Sequence, residues 1–395
     1  MITKYDDEMR YYWEGVENEF CLDKDAMCRD GVDDTDFVVV RYMKLKMLIG
    51  NIKIAKLILT GVVNIWWLLH IVISIYCFFV LLNKKLFLTK ETNKVEDTKK
   101  IFIISSMASL KNLKENFRGQ QFKAIKFPWI KVGLDTPIEV LNFLSFLTYR
   151  DLVLILWKNI YVKKYYKSNL KAYNKSIILQ TYHSYNWLAI YSALENIKPE
   201  EIWFVNHYDR WAIMFDRVTF ILNKNQVQHG ILNEDVKIVN KLKNIKKCYC
   251  LDDNSKKIFC LNYHLNKHTV YEIFKKYFET TKIYDGRQIL FIGGPYDSNK
   301  ELELINMIKV RFVDFLIIIK PHPVYSSKFY DSVVNGNVVL YKEKNIFPSV
   351  DIVISYQSTL GFEYHDKGIP VIFHDNIANE KIIAKLDFMI GFQEK

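Results

Sequence analysis

The sequence predicts an α/β protein with two Rossmann-like domains and an N-terminal hydrophobic helix. Two observations carry this prediction: β-type runs alternate with helical stretches beyond residue 100, and residues 57–82 form an uncharged apolar run. A chain of 395 residues, half of them hydrophobic, is long enough for two ordinary cores. The expected parts are an acidic N-terminal segment (1–50), a hydrophobic membrane-associated helix (51–90), a first Rossmann-like domain (98–240) and a second (241–395).

Charge is unevenly distributed along the chain. Residues 1–40 carry twelve acidic and four basic side chains, which is a net charge of −8. Because the whole chain has a net charge of +11, the remainder carries +19. A basic body predicts an anionic partner, either a phosphorylated substrate or anionic lipid. The sequence contains no zinc-finger, RRM or basic-heptad pattern, so we expect no nucleic-acid partner.

The cysteines indicate a reducing compartment. Six irregularly spaced cysteines do not form a disulfide framework. Cys248 and Cys250 form a lone C-x-C pair, which we interpret as two positions of a buried strand because no second pair completes a zinc site.

The apolar run at 57–82 predicts membrane association. As a helix it would be about 39 Å long, against roughly 30 Å for the hydrocarbon core, and Lys53, Lys56, Lys84 and Lys85 flank it. It begins too deep in the chain for a signal peptide. The alternatives to a single span are a helix pair that lies in the interface and a helix pair packed under the catalytic domains. We expect His70 to be a packed residue.

The first 40 residues contain Asp34-Thr35-Asp36, which resembles the D-x-D motif of one class of sugar transferases. That motif normally follows a hydrophobic strand, whereas here it precedes one, the predicted strand 37–40. We therefore expect an acidic, solvated segment.

The body contains two series of strand candidates. We expect aromatic, basic helices over 137–172, facing a membrane or an acceptor. The predicted strands are 101–104, 176–180, 202–205 and 226–228 in the first series, then one near 245, followed by 288–292, 315–319, 338–340, 351–354 and 370–373.

Ligands of such sheets bind beyond the carboxyl ends of strands, in a cleft that we expect between the domains. Gly293-Gly294 follows 288–292 and allows close approach to a ligand, although a plain turn explains it equally well. After 315–319, Lys320-Pro321-His322-Pro323 holds an imidazole that can donate to phosphate or simply stabilise the turn.

Three further groups lie near predicted strand ends. Ser358 and Thr359 begin a helix whose amino end can bind phosphate, with Glu363 placed for a ribose hydroxyl, although an ordinary capped helix has the same pattern. His229, in Gln228-His229-Gly230, is a candidate general base. Asp209 is the second candidate base. Its neighbour Arg210 suits an anionic ligand or a local salt bridge, and we expect Asp216 to be a surface or cap residue.

The order of these motifs resembles bacterial surface-polysaccharide transferases of the GT-B fold. Q-H-G, G-G-P, K-P-H-P and S-x-x-S-T-x-G-x-E are followed by Gly368-Ile369-Pro370-Val371-Ile372, and residues 101–117 resemble the start of capsular transferases. The group includes CDP-glycerol glycerophosphotransferases, Kdo transferases, and sialyl- and polysialyltransferases. The resemblance covers residues 100–375 and is most specific in the second half.

The resemblance implies roles for particular residues. His322, Pro323, Ser358 and Thr359 would bind the phosphate and ribose of a cytidine nucleotide in a donor domain. His229 would be the base of an acceptor domain, as in the glycerophosphotransferases. The sialyltransferases have an acidic residue at that place, so His229 departs from their pattern.

The implied function is a glycosyltransferase of capsule or O-antigen synthesis. It would use a nucleotide-activated sugar, CMP- or CDP-linked, and a glycan or lipid-linked glycan acceptor, without a further cofactor or metal. We expect it at the bacterial inner membrane, with its catalytic domains on the cytoplasmic side. Polyol phosphate transfer, a non-catalytic membrane component of an assembly complex, and a nucleotide-sugar epimerase are the alternatives.

Overall fold

The structure is a computed structural model of the chain. It describes all residues except 1, 30–31, 33–36, 43–44, 46–51, 89–98, 118–121, 131–138, 163–174, 231, 233, 235, 237, 275–277, 295–297, 323–326, 344–345, 376 and 394–395. The D-x-D triplet at 34–36 and Pro323 lie outside the described residues.

The described helices alternate with strands throughout the body. The α-helices are α1 (Ile2–Arg29), α2 (Ile52–Leu86), α3 (Met107–Asn116), α4 (Tyr149–Ile160), α5 (Ser184–Ile197), α6 (Arg210–Arg217), α7 (Asp253–Ile258), α8 (Ser298–Arg311), α9 (Thr359–Asp366) and α10 (Asn379–Gln393). The strands are β1 (Lys100–Ile104), β2 (Lys123–Lys126), β3 (Val140–Asn142), β4 (Glu201–Phe204), β5 (Asn223–Val227), β6 (Lys247–Cys250), β7 (Val270–Ile273), β8 (Gln288–Ile292), β9 (Leu316–Lys320), β10 (Val338–Leu340), β11 (Ile352–Ser355) and β12 (Val371–Phe373).

The chain forms two compact units, 1–276 and 277–395, and each contains one parallel sheet. The first sheet has the order β3-β2-β1-β4-β5-β6-β7, and the second has the order β10-β9-β8-β11-β12. Both orders begin 3-2-1-4-5 when the strands are numbered within their unit, which is the doubly wound order of Rossmann-like sheets. The predicted fold class is confirmed, including the long apolar helix.

The predicted domain boundary near 240 lies too early. β6 pairs with β5, and β7 pairs with β6, so both strands complete the first sheet. The sequence placed the strand near 245 in the second series because a strand run does not show which sheet it will join. Cys248 and Cys250 are buried on β6 as interpreted.

Two segments predicted as strands have other structures. Residues 176–180 lie in a 3-10 helix, Lys175–His183, whose Ile178 and Leu179 pack against Trp66 of α2. Residues 37–40 are buried without forming a strand. In both segments apolar side chains meet a helical neighbour, so burial is satisfied without sheet pairing.

The acidic N-terminal segment is a docked helix rather than a solvated one. Glu8, Glu14 and Glu19 of α1 pair with Lys158, Arg217 and Arg210 of the first unit. The Arg210 guanidinium has five N–H donors, and all five have partners: both carboxylate oxygens of Glu19, the hydroxyl of Tyr12, and the backbone and side-chain oxygens of Gln180. α1 is therefore an integral part of the first unit.

Gly15 is the point of closest approach between α1 and α6. A Cβ atom built at Gly15 would lie 2.2 Å from the Cα atom of Arg210. A side chain of any size there would push the two helices apart and lengthen the bonds between Arg210 and Glu19.

One helix in the described part of the chain is long and apolar enough to cross a membrane by length and composition. It covers Lys53–Leu86. Its most apolar 18-residue window has a mean hydropathy of 2.4, and 22% of that window is buried against the protein. His70 is buried and lies 3.2 Å from the Ser184 hydroxyl, so its prediction as a packed residue is confirmed.

We expect Gly15→Ala to destabilise the first unit by about 1–3 kcal/mol, because overpacking displaces α6. Gly61→Ala is the matched control: its Cβ atom would meet nothing within 4 Å, and alanine in a helix stabilises by about 0.5–1 kcal/mol. All eight tryptophans lie in the first unit, so denaturation followed by tryptophan fluorescence reports on it alone. Equal effects of the two substitutions would contradict the close approach.

Candidate functional site

The carboxyl edge of the first sheet carries a chain of polar contacts at the point where the strand order reverses, between β1 and β4. Ser105, after β1, donates from its hydroxyl to Asn206 Oδ1 at 2.8 Å. Asn206, after β4, donates from its amide to Asp209 Oδ2 at 2.7 Å. The crevice at such a reversal is where doubly wound sheets bind ligands.

His229 follows β5, the next strand along this edge. Its Nδ1 atom lies 2.8 Å from the carbonyl oxygen of Val205. A carbonyl only accepts, so Nδ1 carries the proton and the lone pair of the neutral ring lies on Nε2. Gln228 supports the turn, because its amide donates to the carbonyl of Gly230 and the hydroxyl of Ser255. The backbone thereby sets the tautomer that a general base requires.

His207 lies beside His229, with 4.4 Å between the ring centroids. Burial, together with the nearby His229 and His264, lowers the pKa of His207 well below its ordinary value. Burial also lowers the pKa of His264 to about 3. His207 and His264 are therefore neutral near pH 7. His229 lies two residues beyond the end of β5, at the carboxyl edge of the sheet.

Asp209 is the N-cap of α6. Its Oδ1 atom accepts from the backbone N–H groups of Trp211 and Ala212 at 3.0 and 2.9 Å, and Oδ2 accepts from Asn206. Burial and the nearby Glu19 carboxylate raise the pKa of Asp209 to about 6, against the opposing effect of these hydrogen bonds. These contacts give Asp209 a structural role as a cap.

Two neighbours of Asp209 are structural as well. Arg210 uses all of its donors within the protein, so the proposed anion site at Arg210 is not present. Its salt bridge is with Glu19, 191 residues away, rather than the local one that was the alternative. Asp216 is buried rather than on the surface. It pairs with Arg217 and accepts from the backbone N–H groups of Lys243 and Asn244.

In the second unit, the order reverses between β8 and β11, and the predicted Gly293-Gly294 pair lies there. A Cβ atom at Gly293 would lie 1.9 Å from the hydroxyl oxygen of Tyr330, and one at Gly294 would lie 2.9 Å from Glu301 Oε1. Glu301 is buried and accepts from the Gly294 N–H and the Tyr330 hydroxyl at 2.7 and 2.6 Å. Packing of the turn therefore requires both glycines.

Lys320, the last residue of β9, points into its own unit. Its ammonium donates to the carbonyl oxygens of Glu343 and Ile346 and lies 5.0 and 5.3 Å from the ring centroids of Tyr341 and Phe347. This environment gives Lys320 a structural role beneath the edge.

His322 lies at the carboxyl edge beyond β9. Its ring centroid is 6.2 Å from that of Tyr356, which follows β11 and lies close to Gly294. Burial lowers the pKa of His322. The edge therefore brings three of the predicted segments together around a half-buried imidazole.

Ser358 is the N-cap of α9. Its hydroxyl oxygen accepts from the Gly361 N–H at 2.9 Å and lies 2.9 Å from the Ser355 hydroxyl, which donates to the Tyr356 carbonyl. Thr359 is the first residue of α9, and Glu363 lies one turn further along. The capped-helix interpretation is correct for Ser358, and the amino end of α9 faces the edge.

Sequence reasoning missed His207, His374 and Asp375. His374 and Asp375 follow β12 at the same edge, where Asp375 accepts from the Gln357 N–H at 2.6 Å. The rule of strand ends could have found them, because the strand at 370–373 was predicted. No group of three or more His, Cys, Asp and Glu side chains suited to a metal ion occurs among the described residues.

The strand orders and the polar residues beyond the strand ends define the class of protein. The chain is a two-unit α/β protein with Rossmann-like sheets, and polar side chains lie at the carboxyl edge of each sheet. No family model matches the sequence, and no curated protein matches it.

Several solved structures are similar. The wall teichoic acid polymerase TagF has 10% identity and a TM-score of 0.39, over 71% of each chain. The UDP-GlcNAc 2-epimerase of Neisseria meningitidis has 11% identity and a TM-score of 0.40, over 75% of this chain and 91% of that one. The glycotransferase of kitacinnamycin has 10% identity and a TM-score of 0.40, over 73% of this chain and 90% of that one. Similarity at this level does not identify a reaction.

We expect Asp209→Asn to change the pH dependence of stability. The folded protein keeps the Asp209 proton up to about pH 6, whereas the unfolded chain releases it near 3.8, so ionising the buried group lowers stability as the pH rises between these values. Asparagine caps helices as well as aspartate does. Between pH 4.5 and 7.5 the unfolding free energy of Asp209→Asn should therefore rise, relative to that of the wild type, by about 2 kcal/mol.

Tryptophan fluorescence at several pH values measures this difference. A difference that does not vary with pH would show that Asp209 is not a buried, proton-retaining cap.

Proposed function

We propose that the chain is a glycosyltransferase that moves a sugar from a nucleotide-activated donor to a hydroxyl group of a surface-glycan acceptor. The observation that carries the proposal is His229. Its Nδ1–H is fixed by the Val205 carbonyl, so Nε2 can accept a proton at the carboxyl edge of a doubly wound sheet. The order of motifs along the chain supports a CMP- or CDP-linked donor in capsule or O-antigen synthesis.

In the proposed reaction, an acceptor hydroxyl oxygen attacks the anomeric carbon of the donor. The bond between that carbon and the phosphate oxygen breaks, and the nucleotide leaves with the electron pair. The acceptor proton passes to Nε2 of His229, whose ring then carries a positive charge beside the Val205 carbonyl. Burial lowers the pKa of the neighbouring His207 well below its ordinary value, so His207 is too weak a base to compete for this proton.

The second unit would bind the nucleotide. His322 would donate an N–H to a phosphate oxygen, and the amino end of α9 at Thr359 would add the positive end of a helix dipole. In this proposal Glu363 accepts from a ribose hydroxyl, and no metal ion is needed. Lys320 contributes charge from beneath the edge rather than a direct hydrogen bond.

A lipid-linked acceptor at the cytoplasmic face of a bacterial inner membrane accounts for the apolar helix α2. The exposed apolar face of α2 suits a bilayer, and an acceptor held there would be available to a membrane-associated enzyme. No nucleic-acid partner is part of this proposal.

We expect cytidine nucleotides to stabilise the protein and His322→Ala to remove the effect. A ligand at about a hundred times its dissociation constant stabilises by roughly 2.7 kcal/mol. A thermal-shift panel of CMP, CDP, UDP, GDP and their sugars measures this effect. His365→Ala, an exposed histidine on α9 of the same unit, is the matched control and should keep the shift. Equal shifts in wild type and His322→Ala would contradict the assignment of His322.

We expect His229→Asn to keep nucleotide affinity and lower turnover by about 10²–10⁴-fold. The asparagine amide can still donate to the Val205 carbonyl, but the base nitrogen is lost. Transfer of labelled sugar from CMP- and CDP-linked donors to a bacterial lipid extract measures turnover. His268→Ala, exposed in the first unit, is the control.

Three outcomes would change the proposal. Full turnover in His229→Asn together with loss in Asp209→Asn would transfer the role of base to Asp209. Nucleotide release with transfer of a polyol phosphate would favour the glycerophosphotransferase alternative, and nucleotide binding without any transfer would favour a non-catalytic assembly component.

A further inference from the structure

α2 lies lengthwise on the first unit. The buried positions Ala55, Trp66, His70, Ser74 and Leu81 recur at helical spacing and define one face. Polar bonds hold this face: the Trp66 Nε1–H donates to the Thr181 hydroxyl at 2.8 Å, and the Asn159 amide donates to the Ser74 hydroxyl at 2.6 Å. These contacts stabilise α2 in one orientation.

The contacts continue to the end of the helix. Lys85 donates from its ammonium to the Leu144 carbonyl at 2.9 Å. From Trp66 to Lys85 the helix rises about 28 Å, nearly the thickness of a hydrocarbon core of roughly 30 Å. A spanning α2 would therefore carry the 3-10 helix Lys175–His183, α4 and α5 into the bilayer with it, or break every one of these bonds.

The opposite face of α2 is apolar and exposed. Leu57, Leu68, Val72, Tyr76 and Phe79 lie on it, and the side chain of Tyr76 is 68% exposed. Thr60 satisfies its own hydroxyl by donating to the Lys56 carbonyl. α2 contains no Asp or Glu. Apart from the exposed Asn64, this face is therefore suited to hydrocarbon from Leu57 to Phe79.

α4 packs beside α2 and extends the surface. Tyr149, Val153, Trp157 and Tyr161 lie on its exposed face at helical spacing, and the rings of Trp157 and Tyr161 stack 6.4 Å apart. Tryptophan and tyrosine favour the boundary between headgroups and hydrocarbon. We call the exposed faces of α2 and α4 the two-helix surface.

Cationic groups lie at the two ends of α2, with Lys53 and Lys56 at one end and Lys84 and Lys85 at the other. At the second end, Lys84 and Lys126 line a cavity of about 410 Å³ together with Phe87 and Phe143. Cations beside an apolar surface complement anionic lipid headgroups.

We propose that the two-helix surface lies in the plane of an anionic bilayer, with α2 parallel to the membrane and docked on the first unit rather than crossing the bilayer. The proposal deepens the membrane part of the proposed function and does not depend on the reaction. It requires only lipid, so vesicle binding tests it without nucleotide.

Flotation of the full chain with vesicles of phosphatidylcholine, with and without phosphatidylglycerol, measures binding. We expect Val72→Asp and Trp157→Asp to abolish it. Val310→Asp, which changes a more exposed apolar residue of the second unit, should leave it unchanged. Lys84→Ala should weaken binding to the anionic vesicles by about five-fold. Tryptophan fluorescence confirms that the first-unit variants are folded, and circular dichroism confirms it for Val310→Asp, whose unit contains no tryptophan. Unchanged binding in Val72→Asp would overturn the proposal.

Depth measurements separate the two orientations. A fluorescent label on Ile58→Cys, Leu68→Cys or Phe79→Cys, with the exposed Cys28 and Cys260 replaced by Ser, reports the depth of three positions on the outer face. Equal, shallow depths are expected. A deepest position at 68 would overturn the in-plane orientation while keeping the membrane association.

A lipid-free dimer that Val72→Asp dissociates, with no vesicle binding by the wild type, would assign the surface to a second copy of the chain. If the wild type binds vesicles but shows no thermal shift with any nucleotide, the result would contradict the proposed reaction and leave the membrane proposal intact.

Discussion

Parallel strand pairing is the constraint on which the rest of the structure depends. Every pair of neighbouring strands in both sheets is parallel, so all carboxyl ends within a sheet meet at one edge. Ser105 and Asn206 are a hundred residues apart in sequence, yet they share a hydrogen bond because β1 and β4 are neighbours. The same constraint brings His229 to the Val205 carbonyl and Tyr356 to Gly294.

The charge asymmetry of the sequence is largely an internal complementarity. The acidic helix α1 neutralises cations that the first unit buries, above all Arg210, which is almost fully inaccessible to solvent. Burial alone would raise the pKa of Glu19, and the adjacent Arg210 lowers it overall. An excess of basic residues beyond residue 40 therefore does not by itself require an external anion, because part of it is paired with the first 40 residues.

The sequence predicted buried apolar strands accurately and missed strands that are partly polar. The strands of the second unit were predicted within one residue, because strands buried on both faces are continuous apolar runs. β2, β3 and β7 were missed, since they are short and partly polar. Strand ends identified His229 and His322, but the partners of Arg210 and Lys320 lie far away in sequence, so their structural roles could not be seen.

Saturation of hydrogen-bonding groups separates structural from functional polar residues at these edges. A ligand that replaced Glu19 on Arg210 would leave a mostly buried carboxylate without its partner. One that drew the buried Lys320 ammonium away would break its hydrogen bonds to two carbonyls. Each costs free energy that a weakly bound substrate does not supply. His229 is different, because the bond from Nδ1 to Val205 is compatible with proton transfer at Nε2 and even strengthens when the ring becomes charged. In the proposed reaction, the backbone contact that fixes the ring would therefore also favour the protonated state formed during attack.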